Sequence, residues 1–138
     1  MNDKHELIPY VKIGQLQFGM PRSEVRNLLG NFRDFLYGFP IRDNFADDFG
    51  KRHALYDKSG MLEAVEFFGS FDFSYLGEIV NVSTDARELM VQLRRITDDI
   101  VIIKEDESIS IRELGFIVFC PDYKIENILF YRQDYYDN

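Results

Sequence analysis

The sequence has almost no cysteine and no long apolar run. Its one cysteine, Cys120, excludes an internal disulfide and lies inside an apolar stretch, so we expect a buried and unreactive thiol. No segment approaches the roughly 18 consecutive apolar residues of a membrane-spanning helix. The first ten residues, MNDKHELIPY, lack the basic-then-apolar order of a signal peptide. These absences predict a cytoplasmic protein that has no membrane partner.

The chain also lacks the excess of positive charge that binding to nucleic acid or to an anionic membrane uses. It has 24 Asp and Glu against 16 Lys and Arg, with a formal net charge of -8 and a pI near 4.7. This balance argues against nucleic acid as a partner. A basic protein partner is compatible with it. The simpler alternative is that the acids only keep the protein soluble.

Motifs that carry catalysis or metal binding are missing. There is no glycine-rich phosphate loop, no Cys or His metal pattern and no nucleophile-elbow sequence. The two histidines, His5 and His53, stand outside any catalytic motif. The acids of segment 43–50 match a Mg²⁺ or Ca²⁺ loop only loosely, and a solvated acidic loop is the favoured alternative. We therefore predict a protein that is not an enzyme and that holds no cofactor or metal ion.

The sequence does have enough apolar residues for one packed domain. Of its 138 residues, 46% are apolar and 15% are aromatic, which predicts a single domain over residues 1–138. The clearest local pattern is a strand at 12–18 that leads into a helix at 21–29, with Pro21 at the first helical position. Gly30 marks the end of this helix.

Most other segments have the patterns of strands and turns. Residues 32–40 predict a short strand or an irregular aromatic segment, and residues 41–52 predict a long loop. Residues 53–57 and 61–68 predict a hairpin. Further strands are expected in the last third of the chain, at 101–104, 109–112, 114–120 and 125–132.

A second helix is predicted after residue 84. Thr84 is a natural N-cap, and acidic residues early in the helix with basic residues late in it favour the helix dipole. The buried stripe is expected to contain Ala86, Leu89, Leu93 and Ile96.

The two helical segments stand in similar contexts, which indicates a duplication. Gly14 matches Gly77 and Val25 matches Leu89, at separations of 63 and 64 residues. The pattern predicts two similar β-α-β-β halves over about residues 12–75 and 76–138. Two such halves give an α+β fold in which both helices pack on one face of an antiparallel sheet.

Acidic clusters and tyrosines are the candidate partner-binding residues. Tyrosine rings supply rigid contact area, and carboxylates steer a basic partner. The alternatives are a solvated acidic surface and an ordinary frayed C-terminus. The candidates form three groups: Asp43, Asp47 and Asp48; Glu105, Asp106 and Glu107; and Asp134, Tyr135 and Tyr136.

A family resemblance adds to this interpretation. The order IGQLQFGMPRSEVRNLLG, LYDKSGMLEAVEFF and LGFIVFCPDYKIENILFYRQDYYD resembles small acidic bacterial proteins found beside polymorphic-toxin genes and regarded as immunity proteins. The segment FGM-x-x-x-E-V-x-x-L-L-G and the helix-then-sheet repeat are also similar to the β-lactamase-inhibitor-protein and outer-membrane-assembly lipoprotein fold. Unlike those proteins, this sequence has no signal peptide, lipobox cysteine or disulfide pair.

The resemblance implies a cytosolic inhibitor that neutralises a toxin domain. The expected mechanism is occlusion of a basic active-site cleft, such as that of a nuclease, by acidic loops and tyrosines. A structural or assembly module that pairs through a free sheet edge is the alternative.

Overall fold

The computed structural model describes residues 5–37 and 44–135. Within these residues the chain forms two helices, α1 (Arg22–Leu29) and α2 (Ala86–Leu93). The strands, in chain order, are β1 (Leu7–Ile8), β2 (Lys12–Ile13), β3 (Leu16–Gln17), β4 (Arg33–Tyr37), β5 (Asn44–Asp48), β6 (Arg52–Tyr56), β7 (Leu62–Phe68), β8 (Phe71–Tyr75), β9 (Glu78–Val82), β10 (Val101–Ile103), β11 (Ser108–Ile111), β12 (Phe116–Phe119) and β13 (Asn127–Tyr131).

Eight of these strands form one antiparallel sheet, in the order β10-β11-β12-β13-β7-β6-β5-β4. Strands β4 to β7 make one meander and β10 to β13 make another. The two meanders meet where β13 pairs with β7, with Phe130 opposite Val65. Strands β1, β2 and β3 form a small separate sheet, and β8 pairs with β9. The predicted α+β class with an antiparallel sheet is confirmed.

Helix α1 begins and ends close to the predicted positions. Pro21 is extended, with φ −73° and ψ 154°, and the helix starts at the next residue. Gly30 stops the helix at φ 85°, a left-handed conformation that glycine adopts at little cost. No helix in the described part of the chain is long and apolar enough to cross a membrane.

Helix α2 has a different cap from the predicted one. The carboxylate of Asp85 accepts a hydrogen bond from the Arg87 backbone N–H at 2.8 Å and so provides the N-cap. The prediction of Thr84 was wrong because Asp is an equally good capping residue, and sequence alone does not choose between neighbours. Ile96 lies beyond the end of the helix at Leu93.

The sheet carries a hydrophobic cluster on each face, because side chains alternate along a strand. The larger cluster contains Val25 of α1 and Leu89 of α2 together with Val65 and Phe130 of the central strands. Both helices therefore pack on the same side of the sheet. The smaller cluster lies on the opposite face and contains Ala46, Leu55, Ala64, Ile117, Leu129, Tyr131 and Tyr135.

Three local predictions differ from the structure. Gly14 turns the chain at φ 63°, so the predicted strand at 12–18 is two short strands, β2 and β3. Part of the predicted loop 41–52 is β5, which pairs with β4 and with β6. The composition of this segment does not predict a strand, because the strand forms by pairing with β4 and β6. Among the described residues, six strands (β4 to β9) follow α1 and four (β10 to β13) follow α2, and the duplication itself stays a prediction.

The packing of α2 predicts a contrast between two of its aliphatic residues. Leu89 is 1% exposed and Val91 is 55% exposed. Leu89→Ala removes buried methyl groups and should lower the free energy of unfolding by about 2–5 kcal/mol. Val91→Ala on the same helix should change it by less than about 1 kcal/mol. Urea denaturation followed by circular dichroism measures both, and equal losses would contradict the described orientation of α2.

Candidate protein-binding surface

Asp47 lies inside the structure and not on its surface. It is 0% exposed on the side of β5 that faces α1. The Arg26 guanidinium donates to both of its carboxylate oxygens, at 2.7 and 2.8 Å. The Tyr56 hydroxyl donates to Oδ2 at 2.8 Å, and Arg22 Nη2 lies 3.8 Å from Oδ1. Asp47, a predicted partner contact, is therefore not accessible in this structure, because its acceptor positions are already occupied by these donors.

These contacts determine the protonation states of Asp47 and Tyr56. Burial would raise the pKa of Asp47, but the hydrogen bonds from Arg26 and Tyr56 outweigh it and hold the pKa of this carboxyl below its usual value. Burial and the hydrogen bond to Asp47 raise the pKa of the Tyr56 hydroxyl. Tyr56 therefore stays a protonated donor while Asp47 stays ionised.

The two arginines of this cluster also stack on aromatic rings. The Arg26 Cζ atom lies 3.8 Å from the Phe32 ring centroid, and the Arg22 Cζ atom lies 4.8 Å from that of Phe45. Sequence reasoning missed this cluster. The available signal was the spacing of Arg22 and Arg26, which puts both on one helix face. Their contacts attach α1 to β5 and β6. The cluster therefore has a structural role.

Asp48 lies at the surface, where its carboxylate contacts other groups of the same chain. Its carboxylate accepts a hydrogen bond from the Gly50 N–H at 2.7 Å and lies 3.4 Å from His53 Nε2. The other ring nitrogen of His53 is 3.4 Å from Glu66 Oε1. The ring packs between Phe35 and Phe68, with centroid distances of 5.1 and 4.6 Å. Asp48 is thus engaged with its own chain. Asp43, the third member of its predicted group, lies outside the described residues.

The C-terminal group is also engaged. Arg132 donates to Asp134 and, at 3.1 Å, to Asp57. Tyr135 is 8% exposed and stacks on Tyr131 at a centroid distance of 5.9 Å, so it belongs to the smaller core cluster. Tyr135, a predicted partner contact, is thus largely covered in this structure, because its ring packs on apolar sheet residues. Tyr136 lies outside the described residues.

The third predicted group lies on the surface of the protein. Glu105, Asp106 and Glu107 form the turn between β10 and β11, and all three are exposed. Among the described residues, none of these carboxylates makes a salt bridge. Next to the turn, Ile102 is 47% exposed and Tyr123 is 44% exposed. We call this combination of acidic turn and exposed apolar side chains the β10 surface.

The first predicted group and the acidic turn do not meet in space. Strand β10 is at one end of the sheet, and β5 is six strand positions away. At the usual strand spacing this separation is on the order of 30 Å. The first group therefore belongs to one end of the sheet and the acidic turn to the other.

Cys120 is buried, as predicted. Burial raises the pKa of its thiol, which keeps the sulfur protonated. Among the residues that the structure describes, no cluster of His, Cys, Asp and Glu has the arrangement of a metal site.

The chain was compared with protein-family models, with curated proteins and with solved structures, and no match was found.

The buried ion pair predicts a specific acid sensitivity. Asp47→Asn removes the charge that holds Arg26 and should lower the free energy of unfolding at pH 7 by about 3 kcal/mol. Because the folded-state pKa of Asp47 is below its usual value, ionised Asp47 stabilises the fold above about pH 4. This contribution is lost as the pH falls through the folded-state pKa.

The difference between wild type and Asp47→Asn should therefore shrink on acidification. Urea denaturation at a series of pH values measures it. Asp34→Asn is the matched control, because its carboxylate is 65% exposed and 3.9 Å from Arg22. It should change stability by less than about 1 kcal/mol. A constant difference from pH 7 to pH 3 would contradict the assigned role of Asp47.

Proposed function

We propose that this chain is a non-enzymatic, cytoplasmic inhibitor of the immunity type, which binds a bacterial toxin domain and covers its active site. The target surface is basic, as in a nuclease, whose lysines and arginines bind phosphate. The protein contributes no bond-making step. It acts by occupying the surface that the toxin needs for its substrate.

The β10 surface is the observation that carries this proposal. Protein-binding surfaces combine apolar and aromatic contact area with polar groups around it. Here the exposed Ile102 and Tyr123 supply contact area, and the acidic turn supplies charge. The carboxylates Glu105, Asp106 and Glu107 have no salt-bridge partner among the described residues, so their charge is available to an approaching cation.

The charge of the whole chain supports the same mechanism. A net charge of -8 attracts a basic partner over long range and speeds their encounter. On contact, carboxylates form charge-assisted hydrogen bonds with arginine and lysine. The sequence resemblance to immunity proteins of toxin loci agrees with this chemistry.

Co-expression tests the proposal directly. The gene next to this one should encode a toxin-like domain whose production stops bacterial growth. Co-expression of the present chain should restore growth, and the two proteins should elute as a one-to-one complex in size-exclusion chromatography with light scattering. A neighbouring product that is harmless, or that fails to bind the purified chain, would contradict the proposal.

The acidic turn predicts how binding depends on charge. The double variant Glu105→Lys with Asp106→Lys should slow association by about tenfold or more at low salt, because electrostatic steering acts mainly on the on-rate. Stopped-flow or surface-plasmon measurements at two salt concentrations give this rate. Asp72→Lys with Glu78→Lys is the matched control, since both residues are exposed on the β8–β9 hairpin and the charge change is the same. Equal rates for the two double variants would remove the acidic turn from the mechanism.

The alternative, an assembly module, is favoured by one feature of the sheet. Among the described strands, β4 and β10 are end strands and each pairs on one side only. Such edges can add a strand from another chain. Light scattering of the purified chain separates the two functions, because the assembly module requires self-association whereas the inhibitor does not.

A further inference from the structure

A small cavity opens beside the acidic turn. It has a volume of about 280 Å³ and lies where β10 and β11 approach the segment after β12. Apolar atoms come from Ile102, Ile109 and Cys120, and the Tyr123 ring forms one wall. The volume is just below the about 300–1,000 Å³ of ordinary small-molecule pockets. A single long side chain therefore fits it better than a cofactor.

The backbone around this cavity is held in an unusual conformation. Glu107, Asp122 and Tyr123 have φ values of 51°, 53° and 61°, in the left-handed region that costs non-glycine residues about 1 kcal/mol or more. Hydrogen bonds hold the segment: the Cys120 N–H donates to the Glu107 carbonyl at 2.8 Å, and the Asp122 N–H donates to the Glu107 carboxylate at 3.3 Å. The rim is therefore preorganised.

The charge of the rim is complementary to a cation. Glu107 and Asp122 both border the cavity, both are exposed, and neither makes a salt bridge with a described residue. Lys104 is also on the rim, and Lys124 follows two residues after Asp122. Of the charged side chains that line the cavity, two are carboxylates and one is a lysine, so the lining carries a net negative charge.

The aromatic wall favours a guanidinium group over an ammonium group. The Arg87 Cζ atom of this chain lies 5.4 Å from the Tyr123 ring centroid, and the side chain is 44% exposed, so a partner's guanidinium packs on the part of the ring that Arg87 leaves uncovered. A guanidinium stacks on aromatic faces and binds carboxylates through two parallel N–H groups. An ammonium lacks both the planar surface and the paired donors.

We propose that this cavity is the anchor site for an arginine side chain of the partner. The aliphatic stem lies against Ile102 and Ile109, and the guanidinium reaches Glu107 and Asp122 beside the Tyr123 ring. This inference rests on the proposed inhibitory function and names the partner group that the β10 surface recognises. A central buried arginine of this kind is a common source of binding energy in protein interfaces.

A peptide titration tests the site without the toxin. The probe is acetyl-Gly-Arg-Gly-amide, added to the ¹⁵N-labelled full chain and followed by two-dimensional NMR. Saturable shifts should concentrate at Ser108, Ile109 and Tyr123, which line the cavity. The same peptide with citrulline keeps the shape and removes the charge, and the lysine peptide keeps the charge and removes the planar group. Both should bind at least about tenfold more weakly, a difference of about 1.4 kcal/mol.

The double variant Glu107→Gln with Asp122→Asn should weaken arginine-peptide binding by a similar factor while its spectrum keeps the dispersion of the folded protein. The proposal is overturned if the arginine peptide gives no localised shifts, or if the citrulline or lysine peptide binds as well. Should the double variant unfold, the comparison of the three peptides on the wild-type chain still decides.

The outcomes separate this site from the proposed function. If the arginine peptide binds but the neighbouring gene product forms no complex, the inhibitory function fails and the site stands. If the complex forms and the double variant binds it as tightly as wild type does, the inhibitory function stands and the anchor site is wrong.

Discussion

The antiparallel pairing of β7 with β13 joins two four-stranded meanders into one continuous sheet. Five residue pairs make this junction, from Asn127 opposite Phe68 to Tyr131 opposite Ala64. Because side chains alternate along both strands, the junction contributes Val65 and Phe130 to the larger hydrophobic cluster and Ala64 and Leu129 to the smaller one. The pairing also places β4 and β10 at opposite ends of the sheet. This placement separates the Asp47 contacts near β4 from the acidic turn after β10.

A carboxylate is buried near one end of the sheet, and carboxylates are exposed to water at the other. Near β4, Asp47 is buried and neutralised by Arg26, with Tyr56 as a further donor. Breaking such a pair is costly, because a buried charge would be left without a partner. At β10 the carboxylates remain in water. The acidic side chains therefore differ in their surroundings: Asp47 fixes α1 to the sheet near one end, and the turn at 105–107 is exposed at the other.

The sequence predicted those features that depend on neighbours in the chain. Helix α1 was placed within one residue because Pro21 and Gly30 act locally, and the hairpin of β6 and β7 followed from alternation around a glycine turn. Strand β5 was missed because an acidic segment becomes a strand only when β4 and β6 pair with it. The cap of α2 was misplaced by one residue, since Thr84 and Asp85 are equivalent as local signals.

The residue types of the candidate site, and so its chemistry, follow from the sequence, whereas the availability of each residue follows from how the chain packs. Composition gives an acidic chain with tyrosines, because charge and aromatic content are properties of residue types. Exposure depends on packing. Asp47 binds Arg26, which is 21 residues away in the chain, and Tyr135 stacks on Tyr131. The acidic turn at 105–107 is exposed because β10 is the end strand of the sheet within the described residues.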